Sequence, residues 1–140
     1  MAKPKPVALN MSICDLVIRD QRTRNVSLIN LFHQIHTTGL PALHPSLHVY
    51  VTLTEGHGKY NCELKLLYAS DNAILMTTKG VIELKDPLAI EDIDFSIHNL
   101  RFEREGRYVF EFWCDEHLVG SRFFQLVYNP NAPPPPKPGA

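Results

Sequence analysis

Histidine and cysteine are the side chains whose chemistry must be weighed first in this 140-residue chain, which holds seven of one and three of the other. His33 and His36 form an H-x-x-H, and His44 and His48 lie four apart. On a helix either spacing puts two imidazoles on one face, where they can share a zinc ion. With His57 they make a candidate metal set of five. The local sequence argues against a helix there. Pro45 interrupts the second pair, and the residues after it alternate as a strand. In a strand His33 and His36, an odd number apart, point to opposite faces. H-E-x-x-H is absent. A metal-binding or metal-dependent domain using His33, His36, His44, His48 and His57 is therefore the alternative reading.

The cysteines, Cys14, Cys62 and Cys114, are odd in number and far apart, which suits neither a disulfide framework nor a zinc knuckle. Cys62 and Cys114 fall on apolar faces of alternating runs, where burial raises a thiol pKa and makes the side chain inert. There is no G-x-S-x-G elbow. Gly56-x-Gly58 precedes a strand rather than the helix a phosphate loop needs. Glu91-Asp92-x-Asp94 lacks the calcium-loop spacing. No catalytic residue is named, no cofactor is expected, and the chain reads as a non-enzymatic protein.

The elements that position these residues are strands. Leu47, Val49, Val51 and Leu53 alternate with polar neighbours, and so do Tyr60, Cys62, Leu64 and Leu66. Glu55-Gly56-His57-Gly58 between them predicts a tight hairpin. Asp71-Asn72 predicts a second turn, and Ile74 to Leu84 a long strand with a bulge or bend at Gly80. Pro87 ends that strand. Ile93, Phe95 and Ile97 alternate again, and Tyr108, Phe110, Phe112 and Cys114 share one face. Leu118 to Val127 returns as the last strand after Asp115-Glu116-His117. Ser12 to Ile18 and Val26 to Phe32 flank a polar loop at Asp20–Asn25. Only Leu31–Ile35 and Leu88–Glu91 are fitted to single helical turns. The pattern predicts an all-β, antiparallel β-sandwich of about eight strands, immunoglobulin-like or jelly-roll-like.

Gly106-Arg107-Tyr108-Val109-Phe110, a hairpin and a final strand resemble the ending of many immunoglobulin-like domains, without the disulfide and buried tryptophan of antibody domains. Cys14-Asp15 at the first strand, the Gly-rich first hairpin and the Gly106/Tyr108 pair also resemble a group of uncharacterised bacterial β-sandwich proteins, over roughly residues 12 to 127. That resemblance implies the fold and brings no functional residue with it.

The same alternation that buries Phe110 and Phe112 sends Val109 and Trp113 to the other face, and one of Phe123 and Phe124 must join them. Val109, Trp113 and Phe123 are the candidate interaction surface, covered by the segment around 31–45 or presented to a partner. With a formal net charge of −1 and pI near 6.6, nucleic acid and membrane are not expected partners. The basic residues Lys3, Lys5 and Lys137 lie in the ends, which leaves the body more acidic still. The domain is expected at 9–128. Residues 1–8 are expected to be disordered, as is the proline-rich tail 129–140, where Pro133/Pro136 and Pro135/Pro138 give PxxP spacings. The N-terminus lacks a signal-peptide core, which predicts a cytoplasmic location. The resulting expectation is a protein-interaction module of unknown process and unknown protein partner, able to form a homo-oligomer through its terminal strands.

Overall fold

Alternation dictates strands. Among the described residues, 3–131 of a computed structural model, every regular element is one. In chain order they are β1 (Val7–Arg19), β2 (Val26–Leu31), β3 (Gln34–Thr37), β4 (Ala42–Thr54), β5 (Gly58–Tyr68), β6 (Ala73–Leu84), β7 (Glu91–Phe102), β8 (Gly106–Cys114) and β9 (His117–Tyr128). A four-stranded sheet has the order β2-β1-β4-β7 and a five-stranded sheet the order β3-β9-β8-β5-β6. The inward sets foreseen for β4, β5 and β8 all lie in the core between the sheets. The fold is an all-β sandwich.

Nine strands stand where about eight were expected. The extra one is β3, which runs parallel to β9 from Gln34↔Gln125 to Thr37↔Tyr128. Its Gln-Ile-His-Thr sequence is too short for alternation to identify, and it replaces the helical turn fitted to Leu31–Ile35. Within the segment 31–45, Gln34–Thr37 thereby extends an edge of the five-stranded sheet, and from Ala42 the chain runs in the four-stranded one. β1 lies between β2 and β4, and β9 between β3 and β8, but β2 flanks β1 only over Cys14–Arg19 and β3 flanks β9 only over Gln125–Tyr128.

Glu55-Gly56-His57 does not close a hairpin. β4 pairs with β1 and β7, and β5 with β6 and β8, so the link crosses from one sheet to the other. Gly56 is required by close packing: a Cβ there would lie 2.3 Å from Leu84 Cδ1 and 3.2 Å from Tyr60 ring atoms. Gly80 is no bulge, since it pairs regularly with Cys62. The irregularity in β5/β6 falls between Leu66 and Leu67, opposite Met76 and Ile74. The last hairpin turns at Asp115-Glu116, both in the left-handed region at φ 46° and 68°, between the partners Cys114 and His117.

Tyr108 anchors the aromatic core. Its ring packs edge-on against Phe102 at 4.9 Å and stacks on Phe124 at 5.6 Å. Its hydroxyl donates to the Arg104 carbonyl at 2.5 Å, four residues upstream, the corner bond of immunoglobulin-like sandwiches. Gly106 takes φ 128°, and a Cβ there would meet Tyr68 Oη at 2.6 Å.

Within the segment 1–8, expected to be disordered, the described residues lie against the sandwich. Val7 pairs with Thr54, Pro6 is buried, and Tyr60 Oη donates to the Pro4 carbonyl at 2.6 Å. Lys3 Nζ lies 2.7 Å from Asp115 Oδ2. A buried tyrosine hydroxyl needs a partner, and this segment supplies it. At the other end, Asn129 N donates to the Thr37 carbonyl. The PxxP spacings lie outside the described residues.

Candidate functional site

Val109, Trp113 and Phe123 all lie on the outer face of the five-stranded sheet, opposite the buried Phe110, Phe112 and Phe124. The register then separates them. Val109 pairs with both Leu67 and Phe123, and Leu67 pairs with Ile74. Ile74, Leu67, Val109 and Phe123 therefore form one apolar row across four adjacent strands, about 14 Å long at the usual strand spacing. Ile74 and Phe123 are 58% and 52% exposed, while Leu67 between them is 7% exposed. The Arg107 guanidinium sits 4.2 Å from the centre of the Phe123 ring.

Leu67 and Ile74 were not foreseen as members. The Leu66-Leu67 doublet was the signal for Leu67, because β5 keeps its alternation through Tyr68 and two adjacent large apolar residues there must face opposite sides of the sheet. Leu75 is the extra residue in β6, and it sets Ile74 opposite Leu67 on the outer face, out of phase with Ile82 and Leu84.

Trp113 belongs to a different neighbourhood. Lys65 Nζ lies 4.7 Å from its ring centre, and its indole N–H donates to Glu111 Oε1 at 3.2 Å. Glu63, its register partner, holds Lys65 at 3.2 Å and Lys79 at 3.6 Å. These side chains border a shallow cleft of about 870 Å³ lined also by Cys62, Gly80, Val81 and Asp115. A second cleft, of about 630 Å³, opens between the free edges of β6 and β7 and is lined by Met76, Phe95 and Leu100.

The five candidate metal histidines are not brought together. His33 follows β2, His36 is in β3, and His57 is in the sheet-crossing link. His44 is half-buried beside Phe32, ring centres 6.1 Å apart, and its Nε2 is buried without a hydrogen-bond partner. Burial holds its pKa below the ordinary histidine value. His48 Nδ1 lies 2.8 Å from Asp94 Oδ1. Among the described residues no group of three or more His, Cys, Asp or Glu side chains is placed to hold a metal ion. Strand geometry explains this, since it spreads the set over two sheets and their connections.

The remaining reactive side chains are restrained. Cys14 is fully buried across from His48 in register, and burial pushes its thiol up. The Tyr50 phenol is pushed up to about 12, by burial first and then by its bond to Asp92. Asp92 also accepts from Thr52 Oγ1 at 2.9 Å, so Asp92 and Asp94 are each engaged by a β4 side chain along a strand rather than gathered in a loop. No helix among the described residues is long and apolar enough to cross a membrane.

Residues 10–127 match a family described as of unknown function, DUF6941, and the chain belongs to it. No curated protein matches the sequence. Among solved structures the chain is similar to a DNA-bound alkylpurine DNA glycosylase, AlkC, from Pseudomonas fluorescens, at 15% identity and a TM-score of 0.50. That likeness covers 89% of this chain and 31% of the glycosylase. An immunoglobulin-like protein from Pseudomonas aeruginosa is similar at 11% identity and a TM-score of 0.45, over 87% of this chain and 96% of that one. A β-glucosidase from Listeria innocua is similar at 10% identity and 0.47, over 89% of this chain and 16% of the enzyme. The chain thus spans under a third of the glycosylase, and at 15% identity that likeness speaks to the fold alone.

Proposed function

We propose that this member of the DUF6941 family is a non-enzymatic, cytoplasmic protein-interaction module that docks a protein partner on the outer face of its five-stranded sheet. The observation that carries the reading is the continuous row Ile74–Leu67–Val109–Phe123, which no other part of the described chain covers at its two ends. A row of large apolar side chains across four strands is what a protein interface buries at its centre. The cationic Arg107 beside it supplies a polar rim. The residues with chemical potential elsewhere are buried, ion-paired or dispersed, which favours binding over catalysis. Three free cysteines suit a reducing compartment.

The test is native mass spectrometry of untagged protein purified gently from its own host, compared with Phe123→Glu. The wild type is expected to carry the mass of a second copy or of another protein. The variant should lose it with an unchanged far-UV spectrum. Removing one large apolar contact of about 1.5–3 kcal/mol corresponds to roughly 10- to 100-fold in affinity. An assembly that survives Phe123→Glu at equal affinity overturns the reading. So does a wild type that is a bare monomer, or one that carries a stoichiometric metal ion instead of a protein.

A further inference from the structure

We infer that Cys62 and Cys114 form a dithiol site that reacts with low-molecular-weight disulfides and closes to a reversible cross-strand disulfide, with Cys62 as the attacking sulfur. The two residues are register partners on adjacent antiparallel strands, and their sulfurs lie 3.4 Å apart. Asp115 N donates to the Asn61 carbonyl one step along the ladder, so the cysteines occupy the next, non-hydrogen-bonded position. There Cα atoms sit about 4.5 Å apart, within the range a disulfide spans. Closing the sulfurs to about 2.0 Å needs only side-chain rotation.

Access is the second, independent observation. Cys62 is 4% exposed and lies on the inward face of β5, beside the edge strand β6. Its partner on the other flank is Gly80, and a Cβ at Gly80 would find nothing within 4 Å. The missing side chain leaves room for an incoming disulfide next to the Cys62 sulfur. Cys114, 1% exposed, has β9 on its other flank, where it pairs with His117. The electrostatics run the same way. The hydrogen bond between the two sulfurs pulls the Cys62 pKa down against the burial that raises it, while Cys114 is itself pushed up. Cys14 has no sulfur neighbour and is fully buried, so it serves as the internal control.

The reaction is thiol–disulfide exchange. Cys62 loses its proton, and the thiolate attacks one sulfur of the small disulfide RS–SR. A Cys62–SR bond forms, the RS–SR bond breaks, and the departing RS⁻ takes up the proton. Cys114 then loses its proton and attacks the Cys62 sulfur. The Cys62–Cys114 bond forms, Cys62–SR breaks, and the second RS⁻ leaves as RSH. Two electrons pass from the protein dithiol to the small disulfide, and a small dithiol reverses the process.

The experiment incubates the reduced full-length protein with oxidised glutathione, alkylates the remaining thiols, and reads intact mass and peptide maps. The expected product has lost about 2 Da, retains one alkylatable thiol at Cys14, and returns to three thiols with dithiothreitol. Cys114→Ser should stop at one glutathione on residue 62, and Cys62→Ser should take none on Cys114. Gly80→Val, which the open space admits without disturbing the backbone, should slow the wild-type reaction about tenfold or more. Circular dichroism checks that each variant folds, and the wild-type map alone decides if one does not. The inference is overturned if the folded protein keeps three free thiols and oxidises only in urea. It is equally overturned if the first adduct lies on Cys14 or Cys114, or if Gly80→Val reacts at the wild-type rate.

Discussion

Replacing Tyr60 by Phe isolates one hydroxyl that holds three parts of the chain together. The ring is 2% exposed, and Phe preserves it. Its oxygen accepts from His57 N at 2.8 Å and faces two carbonyls, Pro4 O at 2.6 Å and His57 O at 3.2 Å. It thus fastens the N-terminal segment and the sheet-crossing link to β5. A buried hydrogen bond contributes about 1 kcal/mol net, and a group left unsatisfied costs about 1–3 kcal/mol. Pro4 and His57 are themselves exposed, so water replaces part of what is lost. The expected loss is about 1–2 kcal/mol, equivalent to about 3–6 °C in Tm for a domain of this size. Urea denaturation should give it as a lower midpoint at unchanged m. Hydrogen exchange should show the His57 amide opening faster. Lys3→Ala removes the exposed pair with Asp115, the bond to the Lys59 carbonyl and the cation over the Tyr60 ring, and should cost about 1 kcal/mol or less. If Tyr60→Phe costs less than about 0.3 kcal/mol and exchange at His57 is unchanged, the N-terminal segment is not anchored this way and the reasoning fails.

Gly56→Ala should destabilise by about 1–3 kcal/mol, because the added methyl meets Leu84 Cδ1 at 2.3 Å and Leu84 is fully buried; a melting point within a degree of wild type would contradict the packing argument. His44→Phe should stabilise by about 1 kcal/mol at neutral pH by removing an orphaned buried nitrogen. Burial lowers the folded pKa of His44, so its contribution is full above the unfolded value near 6.5 and is lost as pH falls toward the folded value. The margin of the variant over wild type should therefore widen between pH 8 and pH 5, and urea titrations showing a constant margin would count against that linkage.

Faces were legible in the sequence, and partners were not. Period-two alternation placed Leu47 to Leu53, Tyr60 to Leu66 and Tyr108 to Cys114 in the core, because side-chain direction is a local property of a strand. Which strand lies beside which depends on distant residues. The glycines at 56 and 58 look the same whether the chain folds back on its own sheet or crosses to the other one. What makes the crossing visible is Leu84, whose methyl fills the space a side chain at Gly56 would need. β3 was illegible for a different reason: four residues carry too little pattern, and their pairing comes from β9. The histidine spacings misled in the same way, since H-x-x-H is informative only on a helix. The cysteines show the reverse. Alternation correctly put Cys62 and Cys114 on inward faces, but only the register of β5 and β8 shows that they meet.

The same distinction orders the candidate surface. Val109, Trp113 and Phe123 form one group in the sequence because they share a face, yet four residues along β8 separate Trp113 from Val109 by about 13 Å. Burying Trp113 against a partner also means removing water from Lys65, Glu63 and Glu111, charges that already satisfy one another around the indole. Desolvating such groups costs free energy that the ring's area must offset. At the Phe123 end the charge in contact with the row is Arg107, which stacks on the ring. On the proposed reading, the binding energy of a partner concentrates at the Phe123 end of the face, and Phe123→Glu is the harsher substitution. Trp113→Arg, among acids that can pair with it, is the milder one, and the ratio of their effects measures how far the contact extends along β8.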